Sequence, residues 1–251
     1  MNVLKMDLCR AIHSKEFFLA VLIMAIIGYA AVNKSLIFIV EHTIKSQEIT
    51  ILMILSELKR DGMYLMSIPI ACAIIYATAF YDELSYRFII FSLSRCSRKR
   101  YICSKVSTII ITSGVSVLVA WLVMIISCVF ALEQRNMSIT IDYNNIIKSM
   151  GFLTLLIIQS CLSGVMWALV GASASIIMNS KYMAYIVPFM SFYILDVFQK
   201  RYYTNRYYLN PSEWMSAAHI GITNCILLLS VVCVFFIFTL TLMMKRKIRD
   251  V

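Results

Sequence analysis

The residues of this chain that could do chemistry are few, and many of its charges fall in one short stretch. "YDELSYRFIIFSLSRCSRKRYICSK" (81–105) holds two carboxylates and six of the 23 Lys and Arg residues, yet long apolar runs flank it on both sides. Charges grouped in this way serve catalysis, bind a metal or dock a charged partner.

Catalysis and metal binding find no support in the remaining sequence. His13, His42 and His219 lie in different regions, and no CxxC or HExxH spacing occurs. The apolar runs contain essentially one carboxylate, Asp196. We therefore expect no catalytic residues, no metal site and no cofactor bound by this chain. Of the three functions considered for the charged stretch, docking of a partner is the one that remains.

The apolar composition of the chain indicates which kind of secondary structure positions these residues. Of 251 residues, 61% are hydrophobic and 14% charged, whereas a soluble domain has about a quarter of its residues charged. A helix spans a bilayer with roughly 20 apolar residues. The sequence predicts an all-α integral membrane protein with a single domain, 1–251. The net charge is +10, but no basic surface interleaved with aromatic residues indicates nucleic acid.

Six membrane spans are predicted from the apolar runs. Of the 23 Lys and Arg residues, 14 fall on the side of the N-terminus. Cytoplasmic loops are enriched in these residues, so we expect a multi-pass protein of the plasma membrane with both termini in the cytoplasm. The predicted spans are 17–40, 63–81, 106–132, 152–178, 182–198 and 220–244.

Residues 1–16 precede the first span and are predicted to form an interfacial helix. Leu4, Leu8, Ala11 and Ile12 follow i, i+4, i+7 and i+8 spacing, with polar residues elsewhere on the helix. This pattern is typical of a helix that lies in the membrane surface.

The charged stretch is predicted to be a structured loop between spans two and three. Leu84, Phe88 and Phe91 would form one apolar face of a helix, and Glu83 and Arg87 would pair at i, i+4. Ser97 is a plausible N-cap for the basic segment that enters span three. The alternative is ordinary positive charge on a cytoplasmic loop, and a change at Glu83 would then matter little.

Two further segments carry predictions. In span four, small residues recur every fourth position and suit close helix contact, either within the chain or across a dimer; they are Ser160, Gly164, Ala168 and Ala172. Gln159 and Asn224 are isolated polar residues, for which we expect interhelical hydrogen bonds. Before span six, an aromatic segment fits an outer aromatic belt or short re-entrant outer helices; its residues include Tyr207, Tyr208, Pro211 and Trp214.

Residues 82–105 give the sharpest part of a resemblance that extends over the whole chain. An acid after span two, a short helix and "SRKRYICSK" entering span three resemble the permease subunits of type 2 (ABC-2) ATP-binding cassette exporters of Gram-positive type. The resemblance implies that this loop is a coupling helix seated on a cytoplasmic ATPase. Relatives commonly have Gly-Thr where this chain has Arg87-Phe88. The implied coupling residues are Asp82, Glu83, Arg87, Phe88, Ser97, Arg98 and Lys105.

The resemblance also implies the partners. The chain has no GxxxxGK[ST] phosphate loop, so ATP and Mg²⁺ would bind to two copies of a separate ATPase. A second permease subunit, identical or paralogous, would complete the exporter. The expected cargo is hydrophobic or amphipathic, such as an antimicrobial or toxin peptide. Two other classes stay open: an ion-coupled secondary transporter and an intramembrane enzyme.

Overall fold

The computed structural model describes residues 3–42, 51–134 and 146–249. These ranges fold into α-helices joined by short turns and contain no strand. The helices are α1 (Val3–Ile12), α2 (Lys15–His42), α3 (Ile51–Leu58), α4 (Gly62–Tyr76), α5 (Ala79–Ser85), α6 (Phe88–Arg95), α7 (Arg98–Gln134), α8 (Ile146–Met178), α9 (Lys181–Tyr202), α10 (Pro211–Ser216) and α11 (Ile222–Arg249), with a 3₁₀ turn at Tyr207–Leu209.

Six helical segments are long and apolar enough to cross a membrane. Large apolar side chains such as Ile26, Phe130 and Phe235 stay exposed along them, which suits lipid and not water. The coarse prediction is confirmed: the described residues are helical and include six candidate membrane-spanning helices. The segments are Lys15–Ile37, Gly62–Ser85, Arg98–Glu133, Met150–Met178, Lys181–Tyr202 and Ile222–Arg249.

Helix α8 occupies the centre of the bundle and packs against α4, α7, α9 and α11, while α2 packs against α4 and α7. The short helix α1 lies on α7. A left-handed residue, Asn179 (φ 47°), makes the tight turn from α8 to α9. The bundle core includes Trp121 and Met124 of α7 and Leu169 of α8, all fully buried.

Two ends of the bundle can be distinguished by their contacts. We call one the basic end: it holds α1, α5, α6, the start of α7 and the end of α11. There the Lys247 ammonium donates to the Asn179 side chain (2.8 Å) and the Ser175 hydroxyl donates to the Ala77 carbonyl (3.3 Å). The opposite end holds α3, the 3₁₀ turn and α10. Helix α3 was not predicted from the sequence.

The predicted amphipathic helix between spans two and three is in fact two helices. The Tyr86 and Arg87 amides donate to the Asp82 and Leu84 carbonyls and close α5, and Arg87 has a left-handed backbone (φ 58°). Such a residue after the last turn ends a helix. The single apolar face expected for Leu84, Phe88 and Phe91 is therefore wrong, because Leu84 lies on α5 and the others on α6.

Candidate coupling site at the basic end

Lys105 lies inside the bundle, at the junction of α7 with α1, α4 and α5. Its side chain is 2% exposed, and its ammonium donates to Asp7 Oδ1 (3.1 Å), the Tyr76 hydroxyl (3.0 Å) and Glu83 Oε1 (2.6 Å). An ammonium has three protons. All three are in use, so Lys105 has none to offer to another protein.

The two carboxylates around Lys105 are held by further donors. Asp7 Oδ2 accepts from the Ser104 hydroxyl (2.9 Å), and the second Glu83 oxygen accepts from the Tyr101 hydroxyl. The exposed Arg10 guanidinium lies 4.0 Å from Glu83. A buried ion pair is stable only when such hydrogen bonds offset the loss of water.

These side chains form one network, which we call the Lys105 cluster: Asp7, Tyr76, Glu83, Tyr101 and Lys105. Its members come from α1, α4, α5 and α7. The acid after span two is therefore a partner for a buried lysine on span three. The pair predicted between Glu83 and Arg87 is wrong, since Glu83 contacts Lys105 and Arg10 instead.

The other predicted coupling residues face outward. Arg87, Phe88, Ser97 and Arg98 are exposed, and Asp82 is partly exposed. Ser97 directly precedes α7, and its carbonyl accepts from the Tyr101 amide (3.0 Å). The structure thus divides the seven residues into an inward pair, Glu83 with Lys105, and an outward set.

Helices α5 and α6 together form an elbow, residues 79–95, with an exposed aromatic surface. Phe88 and Phe91 are 63% and 69% exposed, and their ring centroids lie 6.1 Å apart. The neighbouring Tyr86 is also exposed, whereas Ile89 is fully buried and fixes α6 to the bundle. Adjacent exposed aromatic rings are typical of a surface that binds another protein.

A crevice of about 650 Å³ opens between the elbow, α1 and the starts of α2 and α9. Asp82 and Glu83 line one part of it, and Arg10 and Lys181 contribute positive charge. This mixture can accept a partner segment that carries charges of both signs.

A second buried lysine, Lys59, lies at the opposite end of the bundle, in the stretch between the first two predicted spans. Lys59 follows α3, and its ammonium donates to Gln159 Oε1 (2.8 Å) and the Leu156 carbonyl (3.1 Å). Burial lowers the pKa of Lys59 to about 7, and the Cys225 and Cys161 thiols act in the opposite direction. Its only signal in the sequence is its position directly after an apolar helix.

The isolated polar residues differ in their contacts. The Gln159 amide donates to the Trp214 carbonyl (2.8 Å) and joins α8 to α10, so its predicted interhelical role is confirmed. The Asn224 amide donates to the Ile220 carbonyl of its own segment (3.1 Å). For Asn224 the prediction is wrong, because this hydrogen bond stays within one turn.

The aromatic segment before span six forms short helices fastened to the bundle. Pro211 begins α10, and the Asn210 side chain caps it by accepting from the Ser212 amide (2.9 Å). Trp214 stacks on Trp167 of α8, with ring centroids 6.5 Å apart, and donates to the Tyr208 carbonyl. Tyr207 stacks on the His219 ring at 4.1 Å.

The small residues of span four pack inside the chain. Ser160, Ala168 and Ala172 are buried, and a Cβ added at Gly164 would lie 2.8 Å from Val117 of α7 and 2.9 Å from Cys72 of α4. This face is occupied by the chain's own helices, which supports helix packing over a dimer contact.

Comparison with known proteins adds no assignment at this point. No protein-family model, curated protein or solved structure matches the chain.

Proposed function

We propose that this chain is the membrane subunit of an ABC-2-type exporter and that its elbow docks on a separate cytoplasmic ATPase. The observation that carries the proposal is the link from the surface to the interior. The elbow exposes Phe88 and Phe91 and, within the same 17 residues, holds Glu83 in the Lys105 cluster. A force on the elbow therefore acts directly on α1 and α7.

The backbone of Arg87 supports the resemblance. ABC-2 relatives commonly have glycine at this position, and Arg87 has φ 58°, a conformation that glycine adopts most readily. The two departures from the family pattern, Arg87 and Phe88, thus keep the turn and add a charge and an exposed ring.

In this mechanism the two groups of residues have separate roles. The outward residues Phe88, Arg98 and Arg87 contact the ATPase, while Glu83 and Lys105 transmit its movement. When the ATPase dimer closes on Mg-ATP, the elbow moves and carries α1 and α7 with it. The movement of span three changes access to a path for a hydrophobic or amphipathic cargo, with a second permease subunit completing the path.

The test places a photo-crosslinking amino acid at Phe91 of the full chain in its native membrane. We expect a cross-linked partner whose sequence contains GxxxxGK[ST], and ATP hydrolysis by the complex in proteoliposomes. Phe88→Glu should abolish association and hydrolysis because it places a charge in an apolar contact. Phe88→Leu, the matched control, should retain both.

Two outcomes would contradict the proposal. If no ATPase cross-links or co-purifies, the elbow has another partner. If transport in proteoliposomes follows an ion gradient without ATP, the chain is a secondary transporter.

A further inference from the structure

A groove between α1 and α7, distinct from the crevice under the elbow, runs along the surface of the basic end. Its volume is about 650 Å³. Lys5 of α1 and Lys99 and Arg100 of α7 line it, together with the apolar side chains of Leu4 and Leu8. We call it the basic groove.

The charge of the basic groove has one sign. No carboxylate is among its lining residues, and the nearby Asp7 is already bound to Ser104 and Lys105. Lys5, Lys99 and Arg100 are exposed, and within residues 3–42, 51–134 and 146–249 none of the three takes part in an ion pair. The groove is thus a concave site with three uncompensated positive charges.

The shape of the groove continues along a membrane helix. Cys103 and Ser107 lie one and two turns after Lys99 on α7 and form the floor, and α7 goes on as the third candidate span. Leu4 and Leu8 lie one turn apart on α1 and provide an apolar wall. Lys99 and Arg100 therefore lie in the first turn of the third candidate span, where a membrane helix meets lipid headgroups, and the apolar side chains of Leu4 and Leu8 line the groove beside them.

We propose that the basic groove binds one anionic phospholipid. Lys5, Lys99 and Arg100 hold its phosphate. The part of one acyl chain nearest the headgroup lies against Leu4 and Leu8. Basic pockets between membrane helices bind anionic headgroups through their charges, and the apolar side chains of Leu4 and Leu8 match an acyl chain. An acidic protein surface would match the charges but not the apolar wall of Leu4 and Leu8. The bound lipid connects α1 to α7 from outside, as the Lys105 cluster does from inside.

The first test counts retained lipid. The full chain is placed in nanodiscs of phosphatidylcholine and phosphatidylglycerol in equal amounts, released into detergent and measured by native mass spectrometry. We expect one phosphatidylglycerol per chain. The triple variant Lys5→Gln, Lys99→Gln and Arg100→Gln should lose it, since three such charges together change affinity by about a hundredfold.

A matched control removes the same charge elsewhere on the basic end. Lys245→Gln, Arg246→Gln and Arg249→Gln alter three exposed residues at the end of α11 and should leave the phosphatidylglycerol in place. Equal loss in both variants, or retention in both, would overturn the proposal, because the lipid would then be held by general surface charge or elsewhere.

The second test needs no change in the groove. Cys103 in the groove and Cys9 on α1 are both exposed, so their alkylation rates can be compared in one protein. Compared with phosphatidylcholine nanodiscs, phosphatidylglycerol nanodiscs should slow alkylation of Cys103 several-fold while the rate at Cys9 stays the same. Inorganic phosphate should not slow it. Equal slowing of both thiols, protection by phosphate alone, or protection of Cys103 only when an ATPase is bound would overturn lipid as the occupant.

Discussion

Two buried lysines, one at each end of the bundle, show how differently a protein can accommodate an interior charge. Lys105 has two carboxylates and a hydroxyl around it. Lys59 has an amide oxygen and a backbone carbonyl at hydrogen-bond distance, with the Trp121 ring 5.9 Å away. The first is stabilised as an ion and the second is not.

Removal of Lys105 should destabilise the bundle strongly. In Lys105→Met, Asp7 and Glu83 keep their buried charges without the central cation, and breaking such a pair costs about 3–5 kcal/mol. We expect a clear fall in Tm for the protein in detergent. Lys245→Met, which changes an exposed lysine at the same end of the bundle, is the control and should unfold near the wild-type temperature. Equal Tm values for the two variants would show that the Lys105 cluster contributes nothing.

Because Glu83 belongs to the Lys105 cluster, a substitution at Glu83 does not test coupling alone. Glu83→Ala would remove one acceptor from buried Lys105, so we expect it to lower stability as well as coupling. Phe88, whose side chain is 63% exposed, separates docking from folding better.

Lys59 should make stability depend on pH. Its pKa is about 7 in the folded protein against an ordinary value of 10.5. Below about 7 both states bind the proton; between about 7 and 10.5 only the unfolded chain does. The free energy of unfolding should therefore rise with pH through this window.

Denaturation of wild type and Lys59→Met at several pH values from neutral to alkaline measures this contribution. The variant should lose part of the slope, whereas Lys34→Met, which removes an exposed lysine paired with Asp61 at 2.7 Å, should keep it. An unchanged slope in Lys59→Met would mean that Lys59 is not the group responsible.

At the scale of the elements, the sequence predicts the features that depend on the length of an apolar run or on a local turn or capping residue. Most span ends were placed within five residues, because runs such as 152–178 contain no charged residue. The exception is the start of the third span, which lies at Arg98 and not at 106. The turn at Asn179 and the cap at Asn210 follow from local residue types. The elbow was missed because its break lies at an arginine, a residue that rarely adopts positive φ.

The candidate site was predictable only in part for a related reason. Glu83 and Lys105 were both selected from the sequence, but their pairing across 22 positions depends on how α5 packs on α7. No pattern of neighbouring residues in the sequence indicates that these two side chains meet. Asp7 was given no role at all, although it shares the same lysine.

Gly164 shows how closely the central helices approach. A Cβ there would lie 2.8 Å from Val117 and 2.9 Å from Cys72, and overpacking of this kind costs about 1–3 kcal/mol. We expect Gly164→Ala to lower the Tm. Gly151→Ala on the same helix meets nothing within 4 Å and should leave the Tm unchanged or raise it, since alanine favours helix. If the two variants behave alike, α8 does not pack as described.

At the scale of the whole molecule, α1 and the end of α11 lie at the same end of the bundle, as expected for an even number of candidate spans. The enrichment of Lys and Arg at this end predicts that it faces the cytoplasm. An impermeant thiol reagent should therefore react with Cys9 in inverted vesicles and not in intact cells, because Cys9 is exposed at the basic end and lies outside the basic groove.

A cysteine introduced at the opposite end provides the reciprocal measurement. Asn205→Cys lies in an exposed turn and should react in intact cells, in a background without the native exposed thiols. Labelling of Cys9 from outside would reverse the orientation and remove the elbow from the reach of a cytoplasmic ATPase.

The three tryptophans of the chain have an optical consequence. Trp121 lies beside Lys59, and Trp167 stacks on Trp214 of α10, while the elbow and α1 contain none. Indole emission therefore reports on the Lys59 side of the bundle and does not respond directly to changes at the elbow. A change in that emission when a partner binds at the elbow would show a signal that has crossed the bilayer, without any label attached to the protein.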